Sequence, residues 1–407
     1  MIVLEKVNKN KGVLKKLILA LLIVSSLSAS LVVINTNAIC NVKNSCSHLN
    51  IKKLKTKNQL INGPCWAFAN IATLETFLNK KGLLNESLSE KHLLSWVNQG
   101  SFDDGWNVNI CDGGNCQMAN AYFTSGSGPV FENNCKYNTL NTSFNSSLAS
   151  LKPQYLVKGI KKLKVDTDSI KEAISMYGAV TVSYAVDSEH YHAVSLVGWN
   201  DNDKNWIVKD SSKEPNYVFL PFDKKFLYAY CITDACRFNS NQKIYQHDKY
   251  GVCGDYSKND KIIAANVFDF NGNESLDSIM LYSLSANAKI NLFLAPVLDN
   301  GTPNHDTSTW KPLYSGVVPY EGYSTFSLKN KINLNKGKQA IVVEINKNFN
   351  SEKPSLGCQM PVNKLNLGND NLQRGKSFIN YDNSFYDIKD SKLNNVSAFS
   401  IKAITKK

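Results

Sequence analysis

The chain has 407 residues, 43% of them hydrophobic, and a formal net charge of +12. This length and composition predict about two packed globular domains and exclude an intrinsically disordered protein. Only Arg237 and Arg374 are arginines, and the lysines are spread along the chain. Because arginine forms the forked pairs that read phosphates and bases, we expect no nucleic-acid partner, although the charge can still favour an anionic wall or membrane surface.

The N-terminus predicts export. Lysines between Lys6 and Lys16 precede the apolar run at residues 17–34, and Thr36-Asn37-Ala38 follows. This order is typical of a signal peptide with a small residue at its cleavage point. The run is longer than most signal-peptide cores, so an uncleaved N-terminal anchor is the alternative. We expect contact with a membrane only through this N-terminal segment. We assign residues 1–38 to this signal or anchor and predict an extracellular or cell-surface protein.

The next region, residues 39–255, begins with helices and ends with strands. Apolar residues at helical spacing predict helices over residues 65–80 and 89–97, the second capped by Ser89. A glycine-rich turn and helix follow at 111–128, and another helix at 170–177 after Asp168. Strands are then predicted at residues 179–186, 192–199 and 206–209. This order indicates an α+β domain with a helical lobe followed by a β lobe.

Residues 256–407 show no long helical period and predict an all-β sandwich. Clusters of Asn, Gly, Asp and Ser separate the apolar runs, and residues 250–260 form the predicted hinge. The strands are predicted at residues 262–268, 279–284, 289–295, 313–318, 323–328, 340–345, 377–381 and 398–403.

The ten cysteines predict disulfides if the chain is exported. The spacings Cys111-x4-Cys116 and Cys231-x4-Cys236 also fit metal knuckles, but export and the lack of nearby histidines favour disulfide ends. We therefore expect no metal and no cofactor. If Cys65 is a free nucleophile, nine cysteines are left, so one further free or intermolecular thiol is expected.

Cys65 has the setting of a reactive thiol. It follows Gly63-Pro64 at the predicted start of a helix, where the helix dipole stabilises a thiolate. A thiolate also needs an imidazole nearby. Of the six histidines, only His190 and His192 stand at the head of an apolar strand. His92 is expected at the surface or half-buried on its helix, and the other three lie in polar loops.

These residues resemble those of the papain-like cysteine peptidases. The resemblance covers roughly residues 41–230, and the order and spacing of its motifs make it specific. Its landmarks are Gln59 followed by Cys65-Trp66-Ala67-Phe68, Leu88-Ser89-Glu90, Gly113-Gly114-Asn115, His192-Ala193-Val194, and Trp206 followed by Asp210.

The resemblance implies an exported cysteine endopeptidase that cleaves a protein or peptide substrate through an acyl-enzyme. Cys65 would be the nucleophile and His192 the base, while Gln59 and the Cys65 backbone N–H would hold the oxyanion. Asp210 would orient His192. The substrate backbone would lie along Gly113, Gly114 and Trp66.

Several departures favour the alternative, a weakened papain-like protein that acts in binding or adhesion. Asp210 stands where the family has Asn, and Ser211-Ser212 replaces the segment that carries a shielding Trp. Asn62 stands where the family has a disulfide cysteine. About twenty residues separate Ala38 from Gln59, too few for the family's inhibitory pro-segment.

The C-terminal region resembles the lectin-like β domain of some clostridial and archaeal surface cysteine peptidases. Residues 337–339, 375–378 and 395–403 carry this resemblance, which implies that the domain can contact carbohydrate or the cell surface. Trp310, Tyr320 and Tyr323 could form a carbohydrate platform, but core packing is the favoured interpretation. Asp269, Asn271, Asn273 and Glu274 could offer oxygens to calcium, but a polar turn is favoured.

Overall fold

The computed structural model describes residues 45–47, 54, 56–97, 106, 113–137, 146–212, 217–349, 351–359, 374–390, 393 and 396–407. In its first half most helices precede most strands, as predicted, but one strand lies before the first helix and another lies before the last helix. The helices are α1 Cys65–Lys80, α2 Glu90–Val97, α3 Cys116–Ser125, α4 Ser146–Ala149 and α5 Thr167–Tyr177. The strands are β1 Ser45–Ser47, β2 Tyr155–Lys162, β3 Val180–Ala185, β4 Tyr191–Asn200, β5 Asn205–Lys209, β6 Tyr217–Pro221 and β7 Tyr228–Arg237.

The second half is built from strands, with a short 3-10 turn at Thr307–Thr309. Each of the eight predicted strands overlaps an observed one. The strands are β8 Gln242–Tyr245, β9 Gly254–Ser257, β10 Lys261–Phe270, β11 Glu274–Ser283, β12 Lys289–Pro296, β13 Lys311–Val317, β14 Gly322–Leu334, β15 Gly337–Asn346, β16 Ser355–Gln359, β17 Ser377–Tyr381, β18 Ser384–Asp387, β19 Ala398–Phe399 and β20 Ile401–Lys406.

Capping side chains set the starts of the helices. Helix α3 begins at Cys116, after the predicted glycine-rich turn, since Asn115 accepts a hydrogen bond from the Met118 N–H at 3.1 Å. Helix α5 begins earlier than predicted because Asp166 caps it through the Ser169 N–H at 2.7 Å. The Ser89 cap of α2 is confirmed: its hydroxyl accepts from the His92 N–H at 3.0 Å.

Two facing sheets make the second half a sandwich. The six-stranded sheet has the order β13-β12-β15-β10-β17-β18, and a larger sheet faces it with β14-β11-β20-β8. Side chains from both sheets form one buried core, which includes Ile290, Ile341, Ile279 and Ala403. The predicted α+β domain followed by a β sandwich is therefore confirmed.

The larger sheet continues from one half of the chain into the other. Its order is β6-β5-β4-β3-β7-β2-β14-β11-β20-β8, so β2 pairs with β14 and joins the two halves. Gly322 is opposite Lys161 at this junction, and Thr325 donates to the Lys158 carbonyl at 2.6 Å. Strand β8 pairs with the last strand β20, although it lies before the predicted boundary at residues 255–256.

His92 is buried, so the expectation of a surface or half-buried side chain is wrong. The residue is 1% exposed, and its ring bonds the Tyr122 hydroxyl at 2.7 Å and the Leu148 carbonyl at 3.1 Å. Burial lowers its pKa to about 4, against the opposing bond to Leu148. A neutral imidazole with two hydrogen-bond partners is a core side chain, not a general base for the cleft.

Three of the candidate ligand residues of the β sandwich are buried in its packing, whereas Asp269, Asn271 and Asn273 are exposed. Trp310 is 8% exposed, and its indole N–H donates to the Asn304 carbonyl at 2.8 Å, while Tyr323 is 1% exposed. Glu274 accepts bonds from Tyr245 at 2.5 Å and from Thr405 at 2.6 Å. Trp310 and Tyr323 thus belong to the core, which is the interpretation the sequence favoured for them, and Glu274 is bonded within the fold.

In the part of the chain that the structure describes, no helix is long and apolar enough to cross a membrane. The predicted signal or anchor at residues 1–38 lies outside the described residues.

Candidate active site

Cys65 is the first residue of α1. Pro64 precedes it as the N-cap, with φ −80°, so the thiol lies at the positive end of a 16-residue helix. Cys65 is half-buried, whereas the next residues of the helix, Trp66 to Leu78, are buried. Cys65 thus lies where an otherwise buried helix reaches the surface.

His192 and Asp210 meet because β4 and β5 pair antiparallel. Asp210 directly follows β5 and comes beside the start of β4, which carries His192. The His192 Nε2 and Asp210 Oδ1 atoms are 3.0 Å apart. The same oxygen accepts from the Ser212 N–H at 2.8 Å and from its hydroxyl at 2.7 Å. Asp210 is 3% exposed, so its carboxylate is held rigidly.

The charges of this pair reinforce each other. Burial by itself lowers the pKa of His192, but hydrogen bonds to Asp210 and to the Cys65 thiol outweigh burial and raise it to about 9. Burial also tends to raise the pKa of the Asp210 carboxyl, but the bonds from His192 and Ser212 bring it down to about 2. An imidazolium between a thiol and a carboxylate is the stable state at neutral pH.

Gln59 is locked to the segment that follows Asp210. Its backbone N–H donates to the Ser211 carbonyl at 2.9 Å, and the Ser211 hydroxyl donates to its Oε1 at 2.7 Å. Its Nε2 donates to the Ile61 carbonyl at 2.9 Å. An amide nitrogen has two N–H donors, and within the described ranges the Ile61 carbonyl is the one acceptor found for this nitrogen. In the sequence Ser211 stood out only as a departure from the family pattern. In the structure its hydroxyl holds the side-chain oxygen of Gln59.

The paired glycines lie close to Cys65's own helix. Gly113 has φ +85°, and a Cβ built on Gly114 would lie 2.4 Å from the Trp66 indole. Trp66 is 2% exposed and packs against the Gly114 backbone. Its side chain therefore offers little surface to a substrate, unlike the predicted role. Gly114 itself is exposed, and its backbone groups can reach a ligand.

Two tyrosines that lie beside this site were not predicted from the sequence. Tyr184 is opposite His192 in the β3–β4 ladder, and the two rings meet edge-to-face at 5.8 Å and 87°. Burial, with the nearby Asp210 and Cys65 charges, raises the pKa of Tyr184 to about 12. Burial also raises the pKa of Tyr228, whose hydroxyl interacts with Cys116 and Ser183. Strand register could have located Tyr184, but nothing in the sequence indicated Tyr228.

A buried group of four charges lies behind the site. Lys57 bonds Glu90 at 2.8 Å and lies 3.2 Å from Glu75, and Lys209 lies 3.8 Å from Glu75. Burial raises the pKa of Glu90 to about 7 against the opposing Lys57 charge. Burial also acts on Glu75, but Lys57 and Lys209 outweigh it and hold its pKa below the usual range. We call these four residues the ionic tetrad.

Among the residues that the structure describes, Cys65, Cys116, Cys135, Cys231, Cys236 and Cys358 are thiols that take part in no disulfide. The expectation that Cys116, Cys231 and Cys236 are disulfide ends is therefore not met in this structure. Cys231 lies in the core beneath α5, whereas Cys236 packs against the core of the helical lobe. Among the described residues, no group of three or more His, Cys, Asp or Glu side chains could hold a metal ion.

Two family models match the chain in the same order as its two folds. The model of the papain family of cysteine proteases matches residues 44–215, and the model of the lectin-like domain matches residues 244–405.

Solved structures with both domains are similar over nearly the whole chain. The structure of the clostridial cysteine protease Cwp84 after propeptide cleavage is 30% identical, with a TM-score of 0.81, and the match covers 89% of this chain and 99% of that one. A structure of the cysteine protease and lectin-like domains of Cwp84, a surface layer associated protein of Clostridium difficile, is 31% identical. Its TM-score is 0.80, and the match covers 89% and 88% of the two chains.

A curated relative matches the peptidase half. The viral cathepsin of Epiphyas postvittana nucleopolyhedrovirus is 27% identical over 183 residues, which is 39% of this chain and 52% of the viral protein. The chain thus spans about half the length of that relative.

The fold and these matches define a cysteine peptidase fold joined to a β sandwich. The chain belongs to the papain family of cysteine peptidases and carries a lectin-like domain after the peptidase domain.

Proposed function

We propose that this chain is an exported endopeptidase that cleaves protein substrates through a Cys65–His192 ion pair. The observation that carries the proposal is the imidazole of His192, held between the Cys65 thiol and Asp210, with its pKa raised to about 9 by those two partners against burial. Such a pair activates a thiol for acyl transfer.

The proposed reaction has two halves. His192 takes the Cys65 proton, and the sulfur attacks the peptide carbonyl carbon. The oxyanion accepts bonds from the Cys65 backbone N–H and from the second side-chain N–H of Gln59. His192 then gives the proton to the leaving amine, and water attacks the thioester to release the acid and restore the thiol. Asp210 keeps the imidazole oriented, and Gly113 and Gly114 bind the substrate backbone.

The proposed location is the cell surface, with the lectin-like domain as the contact to it. The predicted signal or anchor at residues 1–38 supports this, as does the similarity to Cwp84, which is itself described as a surface layer associated protein. The proposed domains are residues 39–255 and 256–407. Strand β8 lies before residue 256 but pairs with β20 of the second fold.

The test is the rate of alkylation of each thiol against pH, located by mass spectrometry on the intact chain. An activated Cys65 labels rapidly down to about pH 5, because the imidazolium stabilises its thiolate. Cys236, half-buried and with its pKa raised by burial, is the internal control and labels only at alkaline pH.

His192→Ala should shift Cys65 labelling to the alkaline range of Cys236. Labelling of wild-type Cys65 that rises only near pH 8.5, the ordinary thiol range, would refute the ion pair and favour the binding-protein alternative.

A further inference from the structure

The ring of Tyr184 packs against the imidazole of His192. The two residues are opposite each other in the β3–β4 ladder, so both side chains lie on the same face of the sheet. Their rings are nearly perpendicular, at 87°, with centroids 5.8 Å apart. Aromatic rings favour this edge-to-face arrangement, so the contact stabilises the observed orientation of both rings.

The orientation of the imidazole decides whether it can meet the thiol. Its Nε2 atom and the Asp210 Oδ1 atom are 3.0 Å apart, and the ring also bonds the Cys65 thiol. If the ring turns about its bond to Cβ, the nitrogen that faces Cys65 moves away from the sulfur. This torsion has broad minima in histidine, so such a turn is easy unless a neighbouring group blocks it.

The segment that follows Asp210 offers no aromatic ring for this purpose. Residues 211–216 are Ser, Ser, Lys, Glu, Pro and Asn. Ser212 is exposed, and its hydroxyl donates to the Asp210 carboxylate at 2.7 Å. The ring against His192 therefore comes from the neighbouring strand β3, where Tyr184 is half-buried.

Lys224 in turn contacts Tyr184. Its Nζ atom lies over the Tyr184 ring, 4.4 Å from the centroid, and donates to the Ala185 carbonyl at 3.3 Å. A cation over the face of a tyrosine is attracted by the electrons of the ring. Lys224 lies in the connection between β6 and β7, so it fixes both the ring and the backbone at the end of β3.

We propose that Tyr184 is a positioning residue for His192 and that Lys224 holds Tyr184 in place. The Tyr184 ring limits rotation of the imidazole, so the nitrogen that faces Cys65 stays directed at the sulfur. The imidazole is then held from three elements: by the thiol on α1, by the Asp210 carboxylate after β5, and by the Tyr184 ring on β3. This role rests on the proposed Cys65–His192 ion pair and explains what keeps the pair assembled.

Two substitutions separate the ring of Tyr184 from its hydroxyl. Tyr184→Phe keeps the ring, so Cys65 should be alkylated within about twofold of the wild-type rate at every pH. Tyr184→Leu removes the ring, and alkylation of Cys65 at acidic pH should slow by roughly threefold to tenfold, the population change that an aromatic pair supports. The kcat for a peptide substrate should fall by the same factor, with little change in KM.

Tyr191→Leu is the matched control for the loss of a ring. Tyr191 directly precedes His192, but it is 57% exposed and lies on the other face of β4, opposite Ala185. Its removal should leave the alkylation of Cys65 unchanged.

Lys224→Met and Lys225→Met form a second matched pair. Lys224→Met releases the Tyr184 ring and should slow alkylation of Cys65 at acidic pH, by less than Tyr184→Leu does. Lys225→Met removes the exposed lysine beside it and should have no effect. Unfolding temperatures of all variants show whether a slower reaction follows from a less stable fold.

The orientation of the His192 ring can also be followed without any reaction. Isotope labelling of the histidine rings and NMR relaxation on the intact chain show whether the imidazole turns. We expect one orientation in the wild type and in Tyr184→Phe, and exchange between two orientations in Tyr184→Leu. This measurement is independent of the ion pair: an unactivated Cys65 would refute the pair, whereas the mobility of the imidazole tests Tyr184 alone.

A fixed imidazole in Tyr184→Leu, with alkylation of Cys65 at the wild-type rate, would overturn the positioning role. Equal losses in Tyr184→Phe and Tyr184→Leu would also overturn it, because the hydroxyl and not the ring would then be responsible. If Tyr184→Leu does not fold, Lys224→Met decides. A loss selective for Lys224→Met supports the proposal, and behaviour equal to that of Lys225→Met overturns it.

Discussion

At the scale of single residues, the proposed site depends on how Asp210 is held. Its Oδ1 accepts three hydrogen bonds, one from His192 and two from Ser212, so the carboxylate cannot rotate away. A full negative charge at this position does more than orient an imidazole: it also stabilises the imidazolium. The proton on His192 should therefore persist to unusually high pH.

Asp210→Asn tests this charge. The amide can still accept from His192, but the pKa of the imidazole falls from about 9 toward its ordinary value. Because the ion pair is lost as pH rises through that pKa, the alkaline limb of kcat/KM should move to lower pH, with activity near neutrality within about tenfold of the wild type. The pH profile of kcat/KM for a peptide substrate is the measurement.

Asp187→Asn is the matched control. Asp187 bonds the exposed His190 at 2.8 Å, outside the site, so its profile should not move. An alkaline limb that stays in place in Asp210→Asn would show that the carboxylate charge does not set the imidazole pKa.

Gln59 and Ser211 should behave as one unit in catalysis. Gln59→Ala removes an oxyanion donor and should lower kcat by roughly 10² to 10³ with little change in KM. Ser211→Ala removes one of the two hydrogen bonds that hold the Gln59 amide and should lower kcat by a smaller factor. In the Gln59→Ala background, Ser211→Ala should cost almost nothing more.

A double-mutant cycle on kcat measures this coupling. Ser150→Ala, an exposed serine far from Gln59 in sequence, is the control for a lost hydroxyl. Additive losses would mean that Ser211 acts on something other than Gln59.

At the scale of elements, the ionic tetrad joins the segments that carry the proposed site. Lys57 precedes Gln59 by two residues, Glu75 lies on α1 with Cys65, and Lys209 directly precedes Asp210. Glu75 and Glu90 are each 2% exposed, and Lys209 is 7% exposed. Buried charges tolerate little displacement of their partners, so the tetrad fixes these segments relative to one another.

Lys57→Met should be strongly destabilising, by about 3–5 kcal/mol, because it leaves two buried carboxylates with one lysine. The double variant Lys57→Met/Glu90→Leu removes a balanced pair and should recover most of the loss. Urea unfolding gives both values. Lys162→Met breaks the partly exposed pair with Glu321 and should cost less than about 1 kcal/mol. If the double variant is no more stable than Lys57→Met, charge imbalance is not the cause.

Local patterns predicted the elements well and their connections poorly. Most strands in the second half were predicted because their apolar runs are bounded by turn residues, whereas the short strands β8, β9, β16 and β18 were not. The helix start at Thr167 was missed because Asp166, as a cap, starts the helix before its first apolar residue. Cys65 and His192 were selected as candidates from their local settings, since each lies near the start of an apolar element.

The partners that cross the fold had no local signal. Ser211 meets Gln59 over 152 positions, and Lys57 meets Glu90 over 33. Their side chains are ordinary surface types in the sequence, and only tertiary packing buries them. The same holds for His92. Its helix predicted a surface or half-buried side chain, but Tyr122 and Leu148, which are distant in sequence, bury it.

At the scale of the whole molecule, the two domains share one sheet and should unfold together. Strand β2 is paired on both edges, by β7 from its own domain and by β14 from the lectin-like domain. Asp248 and Lys402, both with fully buried side chains, form an ion pair 3.1 Å apart just beyond this junction. Hydrogen bonds and buried charges across the boundary make independent unfolding of either domain unfavourable.

Gly322→Ala tests the junction. Gly322 has φ +126°, and an added Cβ would lie 2.0 Å from the Ile160 carbonyl oxygen, so β14 must move away from β2. Calorimetry should show one transition for the wild type and an earlier or divided transition for the variant. Gly301→Ala carries the same kind of backbone strain, at φ +85°, but its Cβ would meet nothing within 4 Å. The control should therefore lose only about 1 kcal/mol and keep a single transition. A Gly322→Ala variant that unfolds like Gly301→Ala would mean that the shared sheet does not couple the domains.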